Sequence, residues 1–350
     1  MVKIMHSNST QAKAKIASIE LGRNVAMLVI LAMHCQMFLG YWHTNEEPWF
    51  GYIFNQITRF AVPLFFIISG YFVYPKLVNS PIDAMKAYSK PLFKVWVVWS
   101  VLSLLMPFNL GVVAEHGYLA ERQGYWNYLM QAPLNTLFEG GLVHLWFIPA
   151  LICAVAILAF LINSKQSSLI IPVGIVLYGY GVLAGSYQVI TEIEPPIFTR
   201  NGPFFATLMV GIGFAIRQRE LRWTSTKALF IALAGLAIHF AEAAVLHSYG
   251  QPFNSNDFLF GTALWGLGCF MWLLAKPNLG DSDVTYSISK RILPIYVSHL
   301  LVIILMNNVV AIAALTNLTK DMTVFIGSLV LTYLLVLGIE KTPLNKLLFR

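Results

Sequence analysis

From residue 21 to residue 340 the sequence keeps returning to apolar runs of about 20 residues, with one long interruption. A run of that length matches the hydrocarbon thickness of a bilayer. Backbone inside lipid must satisfy its own hydrogen bonds, and for runs this long that means helices. The runs fall at 22–42, 51–74, 89–108, 143–163, 168–188, 202–218, 227–247, 257–275, 291–312 and 322–340. They predict an all-α membrane protein, a single bundle of about ten transmembrane helices. Composition agrees: 57% of residues are hydrophobic and 11% are charged, against about 25% charged in soluble domains. The two soluble domains that 350 residues would otherwise suggest are thereby excluded. The run at 168–188 is Gly-rich and that at 202–218 is the shortest.

The basic residues set the direction of the bundle. If the chain starts inside, the inner segments hold Lys3, Lys13, Lys15 and Arg23, then Lys76, Lys86, Lys90 and Lys94, then Lys165. They continue with Arg217, Arg219, Arg222 and Lys227, then Lys276, Lys290 and Arg291, and finally Lys341, Lys346 and Arg350. That is 19 of the 23 basic residues; only Arg59, Arg122, Arg200 and Lys320 fall elsewhere. Such a bias predicts both termini in the cytoplasm. It also explains the net charge of +7 as topology, with no surface for nucleic acid. The run after residue 20 is too long for a signal-peptide core and no small-residue cleavage site follows it, so the first span reads as a retained anchor. Cys35, Cys153 and Cys269 each lie in an apolar run, away from metal-ligand spacing, and read as small buried hydrophobes with no metal site. No internal repeat is visible.

Ionisable groups inside spans are costly and mark function by default. In the first span Arg23 and His34 are eleven residues apart. At about 100° per residue they share a helical face, roughly 16 Å apart along the axis. One helix thus carries a cation at the cytoplasmic boundary and a titratable base past mid-membrane. In the second span Arg59 lies in the outer half and needs a partner, with Glu242 the proposed one. Pro63 frees the Arg59 carbonyl and predicts a kink. Ser69-Gly70 permits close helix approach. His144 stands two residues before Trp146-Phe147 at the outer start of span four; span seven carries His239 and Glu242, and span nine carries Tyr296 and His299. Thr199-Arg200-Asn201-Gly202 joins spans five and six outside. The long outer loop, 109–142, holds His116, Tyr118, Tyr125, Trp126 and Tyr128, which suits a sugar-facing surface and an interfacial aromatic belt equally. A general base with cationic stabilisers is what acyl transfer to a hydroxyl requires. A chain of His and Glu equally serves proton relay in a transporter. Composition alone does not separate the two.

Four segments carry a resemblance to the acyltransferase-3 family of integral membrane acyltransferases. They are Glu20 with Arg23-x10-His34, Arg59 with Val62-Pro63-Leu64-Phe65-Phe66-Ile67-Ile68-Ser69-Gly70-Tyr71, His144-Leu145-Trp146-Phe147, and Ile295-Tyr296-x2-His299. Each is short, but they occur in the family's order over residues 20–299. Within the family the chain resembles most the standalone surface-polysaccharide O-acetyltransferases of the enterobacterial common antigen type. It also resembles the membrane half of some serine racemases. The first likeness implies transfer of acetyl from cytosolic acetyl-CoA to a hydroxyl of a cell-surface or lipid-linked glycan, in the bacterial cytoplasmic (inner) membrane. His34, Arg23 and Arg59 would then be catalytic, with Arg23, Ser69, Tyr71, Lys90 and Lys94 holding the donor. His144, Trp146, Arg200, Glu242 and His299 would lie on the acceptor side. Acetyl-CoA, the saccharide acceptor and membrane lipids are the implied partners; no metal is implied, and a homo-oligomer is compatible.

Two departures stand out. An Arg-x-x-Arg pair is common in the family at the start of span three, where this chain has Lys86, Lys90 and Lys94 on one helix face. No hydrolase-like domain follows the last span in the sequence. The expected organisation is a cytoplasmic segment at 1–20, an acyltransferase membrane domain at 21–340 and a cytoplasmic tail at 341–350. The competing reading is a proton-coupled transporter or exporter of a lipid-linked sugar or small molecule.

Overall fold

The computed structural model describes residues 16–350. Lys3, Lys13, Lys15 and most of the expected 1–20 segment lie outside the described residues. The named elements of the described residues are all helices, joined by turns and loops. The first helices are α1 (Ala17–His34), α2 (Trp49–Ile57), α3 (Ala61–Asn79) and α4 (Pro81–Leu105). Three short helices follow, α5 (Leu110–His116), α6 (Tyr118–Met130) and α7 (Pro133–Glu139), then a 3-10 turn at Val143–Trp146. Beyond it come α8 (Phe147–Asn163), α9 (Ile170–Leu183), α10 (Gln188–Thr191), α11 (Pro203–Gln218) and α12 (Ser225–Ser248). The rest are α13 (Phe260–Ala275), α14 (Asp283–Ser289), α15 (Ile292–Ile312), α16 (Asn317–Glu340) and α17 (Asn345–Leu348).

Among the described residues six helical stretches are long and apolar enough to cross a membrane, and a seventh joins α4 to α5 through a 44° bend. Three of the ten expected spans are shorter apolar helices: Ser167–Leu183, Pro203–Gln218 and Phe260–Ala275. Each stops short for a local reason. The Gly-rich run ends in a turn at 184–187. α11 begins only behind Gly202, whose φ of 66° suits a residue without a side chain. Residues 257–259, expected inside a span, are loop, and Asp257 there is held by Arg59 and Arg200.

α12 and α16 leave Leu229, Phe230, Leu233, Ile326, Leu329 and Val330 exposed. In water such stripes would be a liability; in lipid they face a solvent as apolar as themselves, so close packing has to hold the bundle. Gly70 of α3 lies against the Val210 backbone of α11, and Gly213 of α11 against the Ile67 backbone of α3. Any side chain at either position would overlap the partner's carbonyl, so the Ser69-Gly70 dipeptide marks a true close approach. α1 runs through the middle of the bundle against α3, α13, α14 and α15. Ser18 Oγ donates to the Leu273 carbonyl at 2.7 Å and Asn24 Nδ2 to that of Thr285 at 3.0 Å.

Three local expectations change. The kink expected at Pro63 is a break: the helix is interrupted at residues 58–60, and Pro63 sits in the first turn of α3, where a missing N–H costs nothing. The 109–142 loop is three short helices lacking a strong apolar face, laid across the bundle end by their aromatics. Tyr118 Oη donates to the Leu105 carbonyl at 2.6 Å, Trp126 Nε1 to that of Leu104 at 3.0 Å and Tyr125 Oη to that of Gly141 at 2.8 Å. His116 stays exposed beside Glu115. Of the cysteines only Cys35 is buried, Cys153 and Cys269 being half-buried. Residues after Lys341 fold back on α4: Trp99 Nε1 donates to the Leu348 carbonyl at 2.7 Å and Lys94 Nζ to that of Lys346 at 2.8 Å.

Candidate active site

Three histidines from three distant parts of the chain meet inside the bundle. His34 ends α1, His144 lies in the 3-10 turn before α8, and His299 lies on α15. Ring centroids are 5.0 Å apart for His34–His299, 5.0 Å for His144–His299 and 6.4 Å for His34–His144. His144 and His299 are buried, and His34 lines a cavity.

Their tautomers follow from fixed acceptors, because a carbonyl can only accept. His299 Nδ1 lies 2.6 Å from the Tyr296 carbonyl, so Nδ1 carries the proton and Nε2 the lone pair. That Nε2 lies 3.1 Å from His34 Nδ1, which must therefore donate. His34 Nε2 is left as a free lone pair, and no described residue bonds to it. His144 Nε2 donates to the Val297 carbonyl at 3.2 Å, leaving its buried Nδ1 unpartnered. Tyr296 Oη donates to the His144 carbonyl, tying the 3-10 turn to α15. The relay from Tyr296 C=O through His299 to His34 does for one base what a carboxylate does in a catalytic triad: it fixes tautomer and ring orientation.

His34 opens on a cavity of about 720 Å³. At the basic end it is lined by Arg23 of α1, Lys76 and Ser69 of α3, and Tyr88 of α4. Past His34 the walls are Phe65, Trp146, Phe147 and Phe205. At the far end stand Asn55, Arg59, Arg200, Asn254 and Asp257. Arg23 keeps its orientation through Glu20, 2.9 Å away. Among the described residues no His, Cys, Asp and Glu groups converge as metal ligands.

The far end is an ion network. Arg59 contacts Asp257 at 3.0 Å, Asn55 Oδ1 at 3.0 Å and the Asn254 carbonyl at 3.0 Å. Arg200 contacts the other Asp257 oxygen at 2.7 Å and Glu139 at 2.7 Å. One carboxylate thus bridges two guanidiniums, and the Nε atoms of both remain buried without a partner. Glu242, the expected partner of Arg59, is elsewhere: it accepts from the Phe260 and Gly261 amides at 3.1 and 2.8 Å and from Tyr187 Oη at 2.8 Å. A carboxylate capping the start of α13 satisfies amides no helix can. His239 is also structural, with Nδ1 2.8 Å from Thr262 Oγ1 and Nε2 2.9 Å from Gln56 Oε1.

The structure brings Arg23, His34, Arg59, Ser69, His144, Trp146 and Arg200 to one cavity, with His299 directly behind His34. It does not bring Tyr71, Lys90, Lys94 or Glu242 there. Tyr71 faces α11 and α13, taking a hydrogen bond from Arg217 at 3.0 Å and packing on Phe270. On α4 the cavity face is Tyr88 and Leu92, four residues apart. Lys86, Lys90 and Lys94 each stand two residues from that face, about 200° around the helix. Lys76, Tyr88, Asp257 and Tyr296 were not singled out for these roles by sequence. Lys76 had a signal: it is seven residues after Ser69 and so on the same face of α3. Asp257 had none, since its pairing with Arg59 spans 198 residues.

Fold and site together define a helical membrane protein with an oriented internal imidazole in a cavity reaching from a basic end to an ion network. Residues 16–340 match the family model described as an acyltransferase domain, and the chain belongs to the acyltransferase-3 family. It is 30% identical over 261 residues to a serine/alanine racemase of Enterococcus gallinarum, covering 68% of this chain and 34% of the relative. It is 25% identical over 317 residues to an amino-acid racemase of Enterococcus faecalis, covering 85% of this chain and 42% of the relative. The chain therefore spans between a third and a half of the length of these curated relatives. No solved structure matches significantly.

Proposed function

We propose that this membrane acyltransferase takes acetyl from cytosolic acetyl-CoA and transfers it to a hydroxyl of a cell-surface or lipid-linked glycan, within the bacterial cytoplasmic (inner) membrane. On this reading residues 1–20 and 341–350 are cytoplasmic. The observation that carries it is His34: its Nδ1–H is committed to His299 at 3.1 Å, and its unpartnered Nε2 belongs to a side chain lining the cavity. That is the state a general base needs before it meets a hydroxyl.

The donor enters from the basic end. Its phosphates meet Arg23 and Lys76, Lys as a point charge and Arg as a fork. The pantetheine arm lies along the α3 face bearing Ser69 and Phe65, bringing the thioester to His34. His34 takes the proton of the attacking hydroxyl as the new C–O bond forms. When the C–S bond breaks, the same proton passes to the leaving sulfur, giving free CoA and the acetyl ester. Arg59, pinned by Asp257 and Asn55, provides a preorganised positive potential at the outer end, where an oxyanion gains most from fixed charge.

The test is purified chain in nanodiscs with acetyl-CoA and extracted membrane glycan, followed by release of free CoA. His34→Ala should reduce the rate by roughly 10²- to 10⁴-fold, the usual worth of a positioned base. Unchanged release in that variant would remove His34 from the reaction. Arg23→Ala should instead raise the KM for acetyl-CoA.

One observation favours a second reading, transport of a small molecule: the cavity reaches from Arg23 to the Arg59–Asp257–Arg200 network. Guanidiniums beside a carboxylate suit a zwitterion, and the relatives' printed names concern amino acids. Substrate flux into liposomes without acetyl-CoA would decide for transport; its absence, with CoA release present, decides for acyl transfer.

A further inference from the structure

His34 lines a second cavity, of about 690 Å³, on the other side of the α1 end. This cavity lies between the end of α1, the later turns of α15 and the start of α16. By the basic-residue rule these elements all end on the outer side. Three residues belong to both cavities, His34, Gln36 and Leu39, and His34 is the one ionisable side chain among them.

The second cavity differs in chemistry from the first. Its wall carries Gln36, Asn307, Thr316, Asn317 and Lys320, and among the described residues none of these five side chains has a hydrogen-bond partner. Asn307 is the informative one. A polar residue on a membrane helix commonly binds a neighbouring helix, as Asn308 does through the Phe108 carbonyl and the Leu110 amide, both at 2.8 Å. Asn307 does nothing of the kind and faces the cavity. The shared wall is also held in place. Gln36 and Phe38 have φ of 50° and 65°, uncommon for residues with side chains. Asp321 pins this segment, accepting the Phe38 amide at 2.6 Å and Tyr41 Oη at 2.9 Å. Both bonds go to Oδ2, so the wall offers Asp321 Oδ1 together with amides, a hydroxyl and one ammonium to meet a ligand.

We propose that this second cavity is the acceptor site and that it takes a polyhydroxylated, sugar-like molecule entering from the outer side. The proposal rests on the acyl-transfer reading. Donor and acceptor then approach His34 from opposite walls, the donor through the large cavity and the acceptor hydroxyl past Asn307 and Asn317. The acceptor O–H proton goes to His34 Nε2 as its oxygen bonds the thioester carbon. The C–S bond breaks, and the sulfur leaves as CoA thiol with that proton.

The test uses the full chain in nanodiscs with radiolabelled acetyl-CoA and methyl β-D-glucopyranoside as acceptor probe, comparing wild type with Asn307→Leu and Asn317→Gly, glycine being chosen because residue 317 has a φ of 50°. Both side chains are exposed and unbonded, so folding is not at stake, and the KM for acetyl-CoA reports on it. The expected result is an acceptor KM raised at least tenfold in each variant, with the KM for acetyl-CoA within twofold of wild type. An unchanged acceptor KM overturns the site. Equal rises in both KM values overturn the division between the two cavities. Wild-type CoA release with no label on the glucoside overturns the sugar-like assignment, whereas a wild type that releases no CoA defeats the acyl-transfer reading on which the proposal stands.

Discussion

His299 touches no substrate in this account, yet its loss should cost turnover. His299→Phe keeps a ring between α1 and α15 and removes the acceptor 3.1 Å from His34 Nδ1. The His34 N–H is then left with only the Ile30 carbonyl of its own helix, a loss of up to about 1–3 kcal/mol. The base can avoid that penalty only by turning or by moving its proton to Nε2, and both remove the lone pair from the cavity. At 1.36 kcal/mol per tenfold in rate, kcat should fall by about 5- to 150-fold. The KM for acetyl-CoA should not move, because the donor contacts lie at the other end of the cavity. His299→Gln offers an amide oxygen in place of the ring nitrogen and should recover part of the loss. The assay is CoA release under saturating donor in nanodiscs. A His299→Phe enzyme at wild-type kcat would refute the relay, and so would one whose whole defect is in donor KM.

Other consequences are open to direct measurement. Arg122 and Glu121 form a buried ion pair, 0% and 7% exposed at the side chain, with Arg122 stacked on Phe108 and Tyr125. Arg122→Ala should destabilise the fold by about 3–5 kcal/mol, because it strands a buried carboxylate; thermal unfolding in detergent at neutral pH checks it. The hydrogen bonds from Arg122 hold Glu121 below the usual carboxylate range, against its burial. A depressed folded-state pKa stabilises above the unfolded value, about 4.3. This contribution should be complete at neutral pH and disappear as pH falls through the folded value; a pH series of wild type and Arg122→Ala should converge at the acid end. Asp257→Asn should cost about 2 kcal/mol of stability by weakening two charged hydrogen bonds and should lower activity with it. Glu242→Gln should spare the Arg59 contacts, so equal effects of these two changes on activity would contradict the pairing. Gly213→Val should prevent assembly of α3 against α11, seen as loss of monodisperse protein on size exclusion.

The bundle was legible because lipid imposes one rule on every span. The count was less so. A helix that stops at Leu183 or starts at Pro203 reads in sequence as continuous with apolar flanks that are in fact turn. The Arg23–His34 face was legible because both residues lie on one helix with a fixed period. Ser69 and Lys76 share that property. The carboxylate facing Arg59 was not: Glu242 and Asp257 are equally remote in sequence, and only the tertiary path of the 250–259 loop chooses between them. The lysines of α4 misled for a simpler reason. Their spacing fixes that they share a face but not which way that face turns, and Tyr88 and Leu92 occupy the side toward the cavity. His144 and His299 stood out as ionisable groups in spans, but their convergence on His34 required the packing of α15 against α1.

If His34 is the base at which a cytosolic thioester arrives, an electron cryomicroscopy map of the full chain with acetyl-CoA bound will show the donor there. Nucleotide phosphates are expected beside Arg23 and Lys76, the arm along Ser69, and the acetyl carbon near His34, with about 3–3.5 Å between reacting atoms once an acceptor is present. Acetyl-CoA bound with its acetyl group away from His34, or with its phosphates against Arg59 and Arg200, would contradict that arrangement.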